Sequence, residues 1–183
     1  MTLPLKKASS LVIVCAAFNS VAQADTTWVG GGTNANAFYQ GYNWTNGLPA
    51  SSAGSAFTQN ALIDTSAYAV GAAIDTTSGA GAINLGAYSL TITNGGTLAM
   101  SGGSNVAVSG STGNLLTVTG SGSKLAWSTN NSTGGFSGVN LVIADSAKVY
   151  RVGGFSGGSL DISGGALTML SGKGLANLTS FEM

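Results

Sequence analysis

Histidine is absent from this 183-residue chain, cysteine occurs once, proline twice, and charged residues make up only 7% of it. Each shortage removes a class of chemistry. Without histidine the chain lacks the commonest general base and the commonest metal ligand. Its one cysteine, Cys15, falls in an N-terminal leader, so the expected mature chain has no thiol, no disulfide and no thiolate metal site. Beyond the leader, four basic residues stand against six acidic ones, which is not the clustered Lys and Arg that nucleic-acid binding rests on. Long apolar runs are missing as well. The longest core, Leu11 to Ala17, is about half of the roughly 20 residues a spanning helix needs, so no transmembrane segment is expected in the mature chain. No metal site and no cofactor are expected either.

What fills the space is Gly, Ser, Thr, Asn and Ala around an apolar content of 44%. Ordinary globular chains carry about 25% charge, so this surface is kept in water by hydroxyls and amides. The apolar residues recur in register, which argues against disorder. From Leu90 to Leu167 one phrase is written four times. Leu90-Thr-Ile92-Thr leads through a Gly-rich turn to Leu98, Leu116-Thr-Val118-Thr to Leu125, Leu141-Val-Ile143-Ala to Val149, and Leu160-Asp-Ile162-Ser to Leu167. The copies start 26, 25 and 19 residues apart, a period typical of solenoids, in which one unit cannot bury its apolar face alone and stacking does. Leu90, Leu116, Leu141 and Leu160 then form one column, with Ile92, Val118, Ile143 and Ile162 beside it. The expected fold is all-β: a single-stranded parallel β-helix with an aromatic N-terminal cap.

Four regions follow. Residues 1–24 read as a secretory signal, with Lys6-Lys7 as the basic part, Leu11 to Ala17 as the apolar core and Ala22-Gln-Ala24 as a small-x-small site cleaved after Ala24. The product is expected in the periplasm, at the cell surface or outside the cell. Residues 25–60 hold Trp28, Phe38, Tyr39, Tyr42, Trp44 and Phe57 between Gly and Asn turns. Trp28, Tyr42 and Trp44 are candidates for a glycan-stacking platform, but a cap over the first coil is preferred, because an open solenoid end exposes an unpaired edge. Residues 61–170 are the β-helix repeats, and residues 171–183 a short helical cap or an incomplete further coil.

At the start of the repeats, Ala61-Leu-Ile63-Asp64, Ala73-Ile74-Asp75 and Ala82-Ile-Asn-Leu85 are weaker copies, expected as the first coils. Asp64 and Asp75 at matching points raise calcium binding. The glycine-aspartate nonapeptide that builds such sites is missing, so two turn aspartates are expected instead. Thr91, Thr93, Thr117 and Thr119 are expected to face outward. An ice-binding ladder of threonines fails at the next coils, where Val142, Ala144, Asp161 and Ser163 take their places. Asp145, Lys148, Arg151 and Asp161 are the one concentration of charge after the leader and the candidate binding or catalytic patch. With no histidine and no closely spaced carboxylate pair, a surface charge cluster is preferred over a catalytic site.

The start Thr26-Thr-Trp28, the segment Asn43-Trp44-Thr-Asn-Gly47-Leu-Pro49 and the phrase Leu90-Thr-Ile-Thr-Asn-Gly-Gly-Thr-Leu98 resemble the N-terminal parts of autotransporter-type passenger domains and related bacterial β-helical surface proteins. The resemblance implies a right-handed β-helix displayed at or released from the cell surface, acting in adhesion, aggregation or biofilm matrix. The same hand follows from the preference of parallel crossovers. The ten-residue alternating strands of an outer-membrane barrel are not in this sequence. The function expected is therefore non-enzymatic and structural or adhesive. Glycans or other cell-surface molecules are the expected partners, together with self-association through the solenoid ends. The alternatives are a polysaccharide-active enzyme using the charged patch and a passenger fragment without a function of its own.

Overall fold

The computed structural model describes residues 26–30, 38–39, 41–51, 55–64, 72–76, 82–102, 107–127, 134–170 and 173–183, with the backbone alone at 72–76, 82, 101, 102 and 151. The expected leader with Cys15 and its cleavage site lie outside these residues.

The described chain is all-β and its sheets are parallel. Strand β1 (Thr26–Thr27) and a short 3-10 turn (Gly41–Asn43) come first. Five triplets of strands follow: β2 (Ala61–Asp64), β3 (Ala72–Thr76) and β4 (Ala82–Asn84); β5 (Ser89–Thr93), β6 (Thr97–Gly102) and β7 (Ala107–Ser109); β8 (Leu115–Thr119), β9 (Lys124–Trp127) and β10 (Phe136–Ser137); β11 (Leu141–Ala144), β12 (Lys148–Val152) and β13 (Phe155–Ser156); β14 (Ser159–Ser163), β15 (Ala166–Met169) and β16 (Leu175–Ala176). Strand β17 (Ser180–Glu182) opens a further pass. The first strand of each triplet joins one sheet, ordered β1-β2-β5-β8-β11-β14-β17; the second strands form β3-β6-β9-β12-β15 and the third β4-β7-β10-β13-β16.

Alternation along each strand decides what is buried. In the first sheet Ala61, Leu90, Leu116, Leu141 and Leu160 are in register, and so are Ile63, Ile92, Val118, Ile143 and Ile162. All but Ile162 are buried, and Ile162 packs partly buried against them. The two columns expected from the repeated phrase are therefore present, extended by Ala61 and Ile63. A second-sheet column runs Leu98, Leu125, Val149, Leu167. The alternate residues Thr91, Thr93, Thr117 and Thr119 fall between these buried positions and are partly exposed, as expected.

Two expectations are corrected. The repeat has three strands, where the phrase and the apolar segment after its turn account for two. The missed third column is Ile83, Val108, Phe136, Phe155, Leu175, and it closes the core through Trp127–Phe136 and Phe136–Phe155 ring contacts at 5.1 Å. A strand of two or three residues carries one inward side chain and shows no alternation to detect. Further, the phrases at Ala61, Ala73 and Ala82 are not successive coils but the three strands β2, β3 and β4 of a single pass. Asp64 therefore lies in the first sheet opposite Thr93 and Asp75 in the second opposite Ser101, on different sheets rather than at matching points.

The passes turn between first and second sheets on left-handed residues: Asn94 and Gly95, Gly120 and Gly122, Asp145 and Ser146, then Gly164. Asn and Asp are the side chains that tolerate this region beside glycine. The turns stack by backbone bonds, Lys124 N to Gly96 O at 2.8 Å, Lys148 N to Ser123 O at 3.0 Å and Ala166 N to Ala147 O at 3.0 Å. At the far end, β16 pairs with β13 and β17 with β14, so residues 175–182 continue the strand pattern and form no helix.

Candidate functional site

The aromatic segment was one candidate. Thr26 N bonds Asn60 O at 3.0 Å and Trp28 N bonds Leu62 O at 2.8 Å, which lays β1 along β2. Trp28 then meets Trp44 in an isolated antiparallel bridge. Their rings sit edge to face at 5.3 Å, Phe38 lies 5.0 Å from Trp44, and Phe57 stacks on Phe38 at 6.3 Å. Trp28 is 0% and Trp44 3% exposed, against 50% for Tyr42. The expected platform of Trp28, Tyr42 and Trp44 is thus not presented to solvent as a set: two of its three rings are core, and only Tyr42 offers a face. Trp44 Nε1 donates to Phe38 O at 2.7 Å. Trp28 Nε1 is buried with no hydrogen-bond partner among the described residues.

The charged patch is divided between the first sheet, the second sheet and the turn that joins them. Asp161 lies in β14, its neighbours in register being Val142 and Glu182 on the first sheet. Lys148 opens β12 on the second sheet. Arg151, also in β12, is where pairing with β15 slips by one residue, between Tyr150–Thr168 and Val152–Met169; its side chain lies outside the described part. Asp145 is in the turn between β11 and β12, where its carboxylate accepts the Thr119 hydroxyl proton at 2.7 Å. Val149 is buried while Lys148 is exposed, as the alternation required. Among the described residues no group of three His, Cys, Asp or Glu is placed to hold a metal ion, and no helix is long and apolar enough to cross a membrane.

What the chain does bring to Lys148 is Lys124. The two are directly in register on adjacent strands. The row continues to Thr97 on one side and Ala166 on the other, so it contains no carboxylate. Both lysines line a cleft of about 330 Å³ together with Ser121, Gly122, Ser123 and Ser146. Ser123 is fully buried at its floor and its hydroxyl accepts Gly95 N at 3.1 Å. Lys124 escaped the sequence reading because it is distant from Asp145 along the chain. A signal was available: Lys124 precedes Leu125 as Lys148 precedes Val149, each just before the inward residue of a second strand.

A polar seam runs along the corner between third and first sheets. Asn114 is 2% exposed. Its amide donates to Gly138 O at 2.8 Å and its Oδ1 accepts Asn140 N at 3.0 Å. Asn140 Nδ2 donates to Asn114 O at 2.9 Å, and its Oδ1 accepts Ser159 N at 3.2 Å and Ser159 Oγ at 2.9 Å. Asn60 makes the corresponding bond to Ser89 N at 3.0 Å. These bonds tie successive passes where strand pairing is interrupted.

No family model matches the chain, and no curated protein or solved structure is detectably similar to it.

Proposed function

We propose that the three parallel sheets are the faces of a right-handed parallel β-helix with an aromatic N-terminal cap, and that the chain is exported to serve as a structural and adhesive surface module. The observation that carries this reading is the unbroken register of Leu90, Leu116, Leu141 and Leu160 on adjacent strands. Passes stacked about 4.8 Å apart make a stiff rod. Its outward positions repeat at that spacing, so weak contacts to glycans or other surface molecules add by multivalency.

The buried Trp28–Phe38–Trp44 cluster beside β1 supports the cap. Among the described residues Leu175 is 42% and Phe181 49% exposed on β16 and β17, which lie last in the order of their sheets; self-association through such edges is part of the same proposal. Display of residues 25–183 on cells or beads tests the reading. Adhesion to glycan-coated or cellular surfaces is the expected result. Display of a folded chain that adheres to nothing and does not self-associate would overturn it.

A further inference from the structure

Lys124 and Lys148 are two of the four basic residues after the expected leader, yet they occupy the same register position on adjacent strands. Like charges so placed repel and weaken a sheet, and no carboxylate shares their row. The carboxylate near the same corner, Asp145, is turned to the Thr119 hydroxyl. The cleft that both lysines line has three serines in its wall and about 330 Å³ of space, the lower end of the range for ligand pockets. That is more than a bare oxyanion fills.

We infer that this cleft binds an acidic sugar, its carboxylate bridging Lys124 and Lys148 and its ring hydroxyls meeting Ser121 and Ser146. The geometry matches the chemistry. The backbone positions of the two lysines lie one strand spacing apart, about 4.8 Å, so the flexible side chains can each bring an ammonium group to one oxygen of a shared carboxylate. Charge-assisted bonds of this kind are the strong ones. Beyond the expected leader four basic residues stand against six acidic ones, so recognition is short-range and belongs to this cleft rather than to a basic surface. The sugar assignment rests on the adhesive reading above; the anion cleft itself rests on the register of the lysines.

The test is calorimetric titration of the full chain with tetragalacturonate, with a neutral maltotetraose and with inorganic sulfate. The uronate is expected to bind and the neutral sugar not, with affinity falling as salt rises. Lys124→Ala and Lys148→Ala should each weaken uronate binding roughly tenfold or more, the effect of losing one charge-assisted bond. Lys148→Arg should keep it, and Asp145→Asn should tighten it. Both lysines are exposed, so the alanine variants should melt no lower than the parent, and relief of the repulsion should raise the midpoint slightly. Equal binding of acidic and neutral sugars, or indifference to both lysines, overturns the inference and leaves adhesion standing. Lysine-dependent binding of sulfate alone overturns the sugar assignment. Failure to bind any glycan while the chain still adheres to cells does the same; failure of both takes the adhesive reading with it.

Discussion

Gly158 is the position at which the stacking of passes is most severely constrained, and three alanine substitutions measure that constraint. Gly158 has φ of +69°, and a Cβ placed on it would lie 2.0 Å from the carbonyl oxygen of Val139 and 2.5 Å from its carbonyl carbon, both backbone atoms of the preceding pass. Neither can swing away as a side-chain tip would. To reach ordinary contact the passes must part by more than an ångström. That motion pulls on Gly158 O, which accepts Thr179 N and Thr179 Oγ1, both at 2.7 Å. The left-handed conformation costs about 1–2 kcal/mol, forced overpacking about 1–3, and two strained hydrogen bonds about 0.5–1.5 each, so Gly158→Ala should lose about 3–8 kcal/mol.

Two controls separate the terms. Gly47 has φ of +82° with nothing within 4 Å, so Gly47→Ala carries the conformational cost alone, about 1–2 kcal/mol. Gly154 has open space and no positive φ, so Gly154→Ala should be neutral or stabilising by up to about 1 kcal/mol. The assay is urea unfolding followed by far-UV circular dichroism, with midpoints compared at constant slope. If Gly158→Ala unfolded at the same midpoint as Gly47→Ala, backbone contact between passes would not be limiting, and the close-stacking account of this corner would be refuted.

Further substitutions probe the core, the cap and the seam. Leu116→Ala in the buried first-sheet column should cost about 2–5 kcal/mol by the same measurement, while Thr117→Ala, the next residue and partly exposed, should change stability by about 0.5 kcal/mol or less. Trp44→Phe and Trp28→Phe remove similar area from one cluster. The former leaves Phe38 O without its 2.7 Å donor, whereas the latter removes an N–H that has no partner among the described residues. Trp44→Phe should therefore be the more destabilising by at least about 1 kcal/mol, read from thermal midpoints. Asn140→Ala removes the side-chain bonds to Asn114 O, Ser159 N and Ser159 Oγ and should cost about 2–4 kcal/mol, with faster amide exchange at Ser159 than at Leu116 as the local signature.

The first-sheet columns were legible because Leu and Ile alternate with Thr over four or five residues, enough to display a period of two. Leu98, Leu125, Val149 and Leu167 were legible because each follows the leading Leu of its phrase by seven to nine residues, across a Gly- or Ser-containing turn. The third sheet was not, since Phe136 and Phe155 each stand alone as the inward residue of a two-residue strand. For the same reason the phrases at Ala61, Ala73 and Ala82 looked like successive coils: a fragment with one apolar residue does not say which sheet it joins. The charged patch rested on closeness along the chain, but in parallel sheets spatial neighbours are one pass away, which separates Asp161 from Lys148 and joins Lys148 to Lys124. The aromatic residues were recognised correctly as a cluster. Whether Trp28 and Trp44 faced water or the core depended on tertiary contacts no local pattern encodes.

The passes differ in length while their columns stay in step, and the junction between second and third strands is one of the two that carry most of the difference. Two residues separate Val152 from Phe155, whereas eight separate Trp127 from Phe136. That junction is thus a place where genetic insertions and deletions leave the stacked lattice untouched. A lineage, or a protein engineer, can vary the number of residues here and can add or remove whole passes by duplication. On the proposed β-helix reading the stack would then change length in steps of about 4.8 Å while each surviving pass kept its neighbours.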